Sequence, residues 1–202
     1  MTSFPDFIRL VVNGDVETVA RMLKASPELA TAASASGATR QDPSTFFVPE
    51  IRHHLYEGDT ALHMAAAAFR RPIAQVLVGN GADYRARNRR GAQPLHYAAD
   101  TNLWNPTAQA ETIEYFLSIG ADPNSENKDG VTPLHRAVRT RSTPAVRALL
   151  NGGADPRRQN KNGSTSMDLA VRTTGRGGSG SLHAREQQAA IIALLNDWLR
   201  RN

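Results

Sequence analysis

The sequence predicts an all-α solenoid: about five stacked helix-turn-helix units with finger loops between them and capping units at both ends. Three observations carry that prediction. First, Gly58-Asp59-Thr60-Ala61-Leu62-His63-Met64-Ala65-Ala66 returns as Gly91-Ala92-Gln93-Pro94-Leu95-His96-Tyr97-Ala98-Ala99 and as Gly130-Val131-Thr132-Pro133-Leu134-His135-Arg136-Ala137-Val138. A degraded copy begins at Gly163, so the starts are 33, 39 and 33 residues apart. Second, Gly81-Ala82-Asp83, Gly120-Ala121-Asp122 and Gly153-Ala154-Asp155 close successive units in phase with the first motif. Third, each unit carries apolar residues at helical spacing on more surface than one helix pair can bury alone, so neighbours must stack.

The elements follow in order. Residues 1–30 read as an N-terminal capping helix pair: a helix from Asp6 to Asn13, then Gly14 and an Asp15 N-cap ahead of Val16, Val19 and Leu23 on one face. Residues 31–57 form a long inserted finger, polar from Thr31 to Ser44 and apolar from Phe46 to Ile51. It is expected to pack down on the neighbouring repeats; a sharper reading has Phe46, Phe47 and Tyr56 wall a groove. Three repeats occupy 58–90, 91–129 and 130–162. Pro94 and Pro133 suit the first turn of a helix, where a missing N–H costs nothing. Pro72 and Pro144 open second helices carrying Ile73, Val76, Leu77 and Val146, Leu149, Leu150, which Gly81 and Gly153 stop. The middle repeat has six extra residues around Thr101 to Pro106, Trp104 among them. Residues 163–202 form a degenerate C-terminal capping repeat, with a Gly/Ser-rich loop before a closing helix from Ala184 to Arg200.

Both motifs and the 33-residue period resemble the ankyrin repeat over residues 58–202. The resemblance implies that the residue after the motif histidine, and those three and four further on, face a concave surface. Those columns are Met64, Tyr97, Arg136, Leu169; Ala67, Asp100, Arg139, Arg172; and Ala68, Thr101, Thr140, Thr173. It also implies that His63, His96 and His135 make structural hydrogen bonds.

Charge gives the groove a direction. Residues 1–60 hold five Lys or Arg against eight Asp or Glu, whereas residues 130–176 hold nine against two. Arginine supplies 21 of the 24 cations, and its planar fork suits carboxylate and phosphate. The expected partner surface is therefore the groove and the edge carrying both inter-helix insertions: Tyr97, Asp100, Trp104, Arg136, Arg139, Arg141, Arg172 and Arg176. The expected function is binding another protein, with arginines recognising acidic or phosphorylated groups. The alternative is a small-molecule-binding or catalytic protein with a pocket between residues 31–57 and the groove.

Other chemistries have less support. There is no cysteine, which excludes disulfides and thiolate zinc ligands. His53 and His54 are neighbours with no third ligand suitably spaced, so no metal or other cofactor is expected. Tyr97 with Asp100 is the one acid–base pair on offer, and no catalytic residue is assigned. Gly175, Gly177 and Gly180 match a dinucleotide glycine pattern formally, but no strand precedes them. Arginines at 85, 87, 89 and 90, and basic residues at 157, 158 and 161, suggest weak nucleic-acid contact, interrupted by an acidic finger at 124–129. No apolar run is long enough for a membrane span, and the start lacks a signal-peptide pattern. A cytoplasmic monomer is expected.

Overall fold

The computed structural model of the chain describes residues 3–100, 105–172 and 181–201. Helices α1 (Phe4–Asn13) and α2 (Val16–Ala25) form the first pair. Then come α3 (Ala61–Ala67) with α4 (Arg71–Gly79), α5 (Pro94–Ala98) with α6 (Pro106–Ser118), α7 (Pro133–Arg139) with α8 (Thr143–Asn151), and α9 (Ser166–Val171) with α10 (Leu182–Arg201). Odd-numbered helices pack in one row, each against the next, and even-numbered helices pack in a second row behind them. That double row is the all-α solenoid of stacked helix pairs that the repeats predict. The expected helix bounds shift only at the ends, by two residues at the start of α1 and of α10.

Local chemistry sets the starts. Thr60 and Thr132 cap α3 and α7 through their hydroxyls, and the motif histidine three residues on reaches back to the capping residue's N–H. At α5 the His96 ring reaches back to the Gln93 N–H without a cap from the Gln93 side chain, and Asp15 caps α2. Such a cap contributes about 1 kcal/mol. Leu62, Leu95 and Leu134 then sit at equivalent, fully buried positions and stabilise by about 2 kcal/mol each. Alanines 65, 66, 98 and 99 are buried beside them and let the inner helices approach closely.

Adjacent units are tied twice. Thr60 N–H donates to Nδ1 of His63, which leaves Nε2–H to donate to the Ala92 carbonyl of the next unit at 3.1 Å. His96 makes the same link to Val131 at 3.0 Å, and His135 to Ser164 at 3.1 Å. Finger to finger, Arg89 N–H donates to the Glu57 carbonyl, Lys128 N–H to Arg90 and Lys161 N–H to Asp129, at 2.8 to 2.9 Å. Gly91 sits at φ 72° beside such a link, where a Cβ would stand 3.0 Å from the Lys128 nitrogen, so the fingers stack this closely only on glycine.

Residues 31–57 fold against the repeats. Phe47–Val48 (β1) pairs antiparallel with His53–His54 (β2), and Arg52 turns the chain between them at φ 49°. Ala38 N–H donates to the Leu55 carbonyl, and Ser34 exchanges two backbone bonds with Asp59 and Gly58. Ile51 and Leu55 enter the common core. No helix among the described residues is long and apolar enough to cross a membrane.

Candidate functional site

The hairpin decides where the concave face is accessible. The first repeat's column residues Met64, Ala67 and Ala68 are buried, so that unit offers no open groove. β2 crosses to the second repeat, where the His53 ring lies 4.7 Å from the Tyr97 ring. Beyond that wall a cavity of about 360 Å3 opens. Arg52, His53, His54 and Tyr56 form one side, Arg90 and the finger residues Asn127, Asp129 and Val131 the rim, and helices α5 and α7 the floor through Tyr97, Asp100, Arg136, Arg139 and Thr140.

The floor is built on two buried carboxylates. Asp59 accepts hydrogen bonds from the Tyr97 hydroxyl at 2.8 and 2.9 Å, from Asn88 Nδ2 at 2.8 Å and from Tyr56 N–H at 2.7 Å. Burial, reinforced by Asp59, holds the Tyr97 phenol well above its ordinary pKa, so it stays protonated and donating. Asp100 is held by Arg136 at 2.6 Å and by Arg139 at 3.4 Å. Arg136 also reaches the His96 carbonyl and stands over the Tyr97 ring. Burial lowers the His53 pKa, with Asp100 acting against it, so the imidazole facing the cavity is neutral near pH 7.

The arginines therefore divide. Arg136 is one-tenth exposed and neutralised by Asp100, whereas Arg139 is half exposed and keeps only a long contact to the same carboxylate. Arg52 and Arg90 make no ion pair among the described residues, and Arg90 lies 4.8 Å over the Tyr56 ring. Four guanidinium groups face two carboxylates, Asp100 and Asp129, so the lining carries a net positive charge. Such a site can hold a carboxylate or phosphate through forked N–H donors, with aromatic rings beside it.

The expected site residues are spread unequally. Tyr97, Asp100, Arg136 and Arg139 meet in this cavity, Tyr97 by its ring alone. Arg141 is buried just past α7 at φ 58°, and shares a second cavity of about 160 Å3 with Arg139, Leu169, Arg172 and Gln188. Trp104 and Arg176 lie outside the described residues, as do Thr101, Thr173 and most of the Gly/Ser-rich loop. Sequence reasoning did not assign Arg52, His53 and Arg90 to the site. Arg90 is 38 residues from Arg52 and no local pattern links them; only the folded hairpin does.

Tyr97 and Asp100 do not form an acid–base pair: one is committed to Asp59 and the other to the two arginines. Several other finger arginines have partners within the fold. Arg87 donates to the Gly91 and Glu126 carbonyls, Arg89 pairs with Glu57, Arg158 pairs with Glu126, and Arg157 covers Trp198. No cluster of three or more potential ligands for a metal ion occurs among the described residues.

Family comparisons bear on the repeats directly. A model described as ankyrin repeats in many copies matches residues 117–170, another so described matches 62–105, and a single ankyrin-repeat model matches 90–128. No curated protein matches the chain. With the in-phase motifs, the double row of helices and these matches from residue 62 to residue 170, the chain belongs to the ankyrin-repeat family.

Proposed function

We propose that this chain is a protein-interaction module that seats a segment of its partner along the groove over α5, α7 and α9, with an acidic or phosphorylated group of that segment in the arginine-lined cavity beside the hairpin. Ankyrin repeats are in general protein–protein interaction modules, which supports the partner class. The observation that carries the finer reading is the cavity itself: Arg52, Arg90 and Arg139 converge on it while only Arg139 touches an intramolecular carboxylate. Binding there is not catalytic, and needs no cofactor.

One feature favours a second reading, in which a small acidic molecule is the ligand. The cavity has walls on the hairpin, finger and helix sides, and its volume falls in the range of small-ligand sites, about 300 Å3 and upward. The two readings separate in one experiment. Wild type and an Arg90→Glu/Arg139→Glu variant are used to capture proteins from nuclease-treated lysate of the source cell, with circular dichroism to check that the variant is folded. A protein retained by wild type and reduced at least about tenfold with the variant is expected, since charge reversal at a forked contact costs more than about 1.4 kcal/mol. Equal retention by both proteins contradicts the cavity's role. Retention of no protein, together with thermal stabilisation by small dicarboxylates or phosphate esters, moves the reading to the small ligand.

A further inference from the structure

The groove has a blind end, and its cationic cavity lies there. On the hairpin side the concave columns are closed: Met64 and Ala67 are fully buried and Ala68 nearly so, while His53 rests on Tyr97. On the other side the columns open, with Arg139 and Arg172 exposed and Leu169 half-buried. A polypeptide lying along the groove from the α9 side thus meets the hairpin and has to stop or turn out. At that point three guanidinium groups await it, those of Arg52, Arg90 and Arg139, with Asp100 already neutralised by Arg136. A chain that stops there presents a terminus, and a cationic cavity selects the carboxylate over the ammonium.

From this juxtaposition we propose that the cavity binds the free carboxyl terminus of a partner polypeptide. The proposal rests on the groove-binding reading and narrows it. The terminal α-carboxylate takes forked N–H donors from the arginines in the way guanidinium groups bind carboxylates generally. The last side chain lies against the cavity wall formed by the Tyr56, His53 and His54 rings. Asp129, which has no ion pair among the described residues, stands on the rim as an acceptor for a peptide N–H of the incoming chain. A carboxylate is planar and has two acceptor oxygens, so its two-pronged pairing with one arginine leaves the other two, from which the preceding carbonyl oxygen can also accept a hydrogen bond.

Random octapeptide pools with acetylated N-termini serve as the probe, applied to the immobilised full chain and read by mass spectrometry of the bound fraction. One pool has free carboxyl termini, a second is amidated, and a third is amidated and carries one phosphoserine. The proposal expects at least about tenfold enrichment from the free-carboxyl pool over both others, a residue preference confined to the last two positions, and loss of that enrichment in Arg90→Glu. Arg147→Glu, on the outer helix α8, is expected to bind as wild type does. Equal enrichment from the free and amidated pools, with acidic residues at internal positions, overturns the terminal assignment and leaves groove binding standing. Enrichment from the phosphoserine pool alone overturns it in favour of a phosphorylated side chain. Enrichment from no pool overturns both readings together.

Discussion

Two arginines three residues apart on one short helix do different work. Arg136 and Arg139 both follow from the repeat columns, and nothing in their spacing distinguishes them. In the fold Arg136 turns onto Tyr97 and the Asp100 carboxylate, where it is one-tenth exposed, while Arg139 reaches the cavity mouth. Of these two residues expected to bind a partner, the first is thus chiefly a structural group, and the second keeps a half-exposed charge at the cavity. Replacing Arg136 by Met leaves Asp100 buried with one long contact, and removing one partner of such a pair costs about 3 kcal/mol or more. Arg139→Ala removes a half-exposed charge and is expected to cost below about 1 kcal/mol. Urea unfolding of both variants checks this ordering; equal losses would show that the division of labour is wrong. It also follows that charge reversal at Arg136 is a poor probe of binding, because it disturbs the floor on which the site is built.

At the scale of elements, the repeats were legible and the hairpin was not. The motif threonines, prolines, leucines and histidines recur in phase because each unit needs the same cap, first turn, core residue and bridge to the next finger. The β1–β2 hairpin has two-residue strands, too short for any alternation to register, and its turn is made by Arg52 rather than by glycine or asparagine. Its packing comes from Ile51 and Leu55 entering the common core and from the His53 ring on the distant Tyr97, so its closing of the first repeat's groove could not be read locally. The histidine bridges carry a pH consequence. Burial is the largest cause lowering the pKa of His63, His96 and His135, and of His53 on the hairpin. Each is held below its ordinary value of 6.5 in the folded chain, so the unfolded chain binds more protons just below that pH. Their contribution is fully present above about pH 6.5 and is lost as the pH falls through the lowered values. The melting temperature is thus expected to be level between about pH 7 and 8 and to drop by several degrees on going to about pH 5. A flat profile down to about pH 5 would mean that these bridges do not depend on neutral imidazoles.

For the whole molecule, the double row of helices leaves two faces with different prospects. The outer row presents exposed polar residues such as Arg147 on α8, beside shallow clefts. The inner row presents a groove closed at the hairpin, cationic at the closed end and open toward Arg172. The overall charge asymmetry was plain in the sequence, with its excess of arginine after residue 130. What it did not reveal was that the C-terminal finger arginines lie on Glu126 and Trp198, and that exposed arginines from three separate segments, at 52, 90 and 139, line one cavity. Photo-crosslinking in source-cell lysate separates the two faces, using a benzophenone side chain at position 172, inside the groove, and in a second protein at position 147, on the outer row. A partner crosslinked from 172 and absent from 147 is the result expected of a groove-binding module. The same partner crosslinked from 147 and absent from 172 would contradict it.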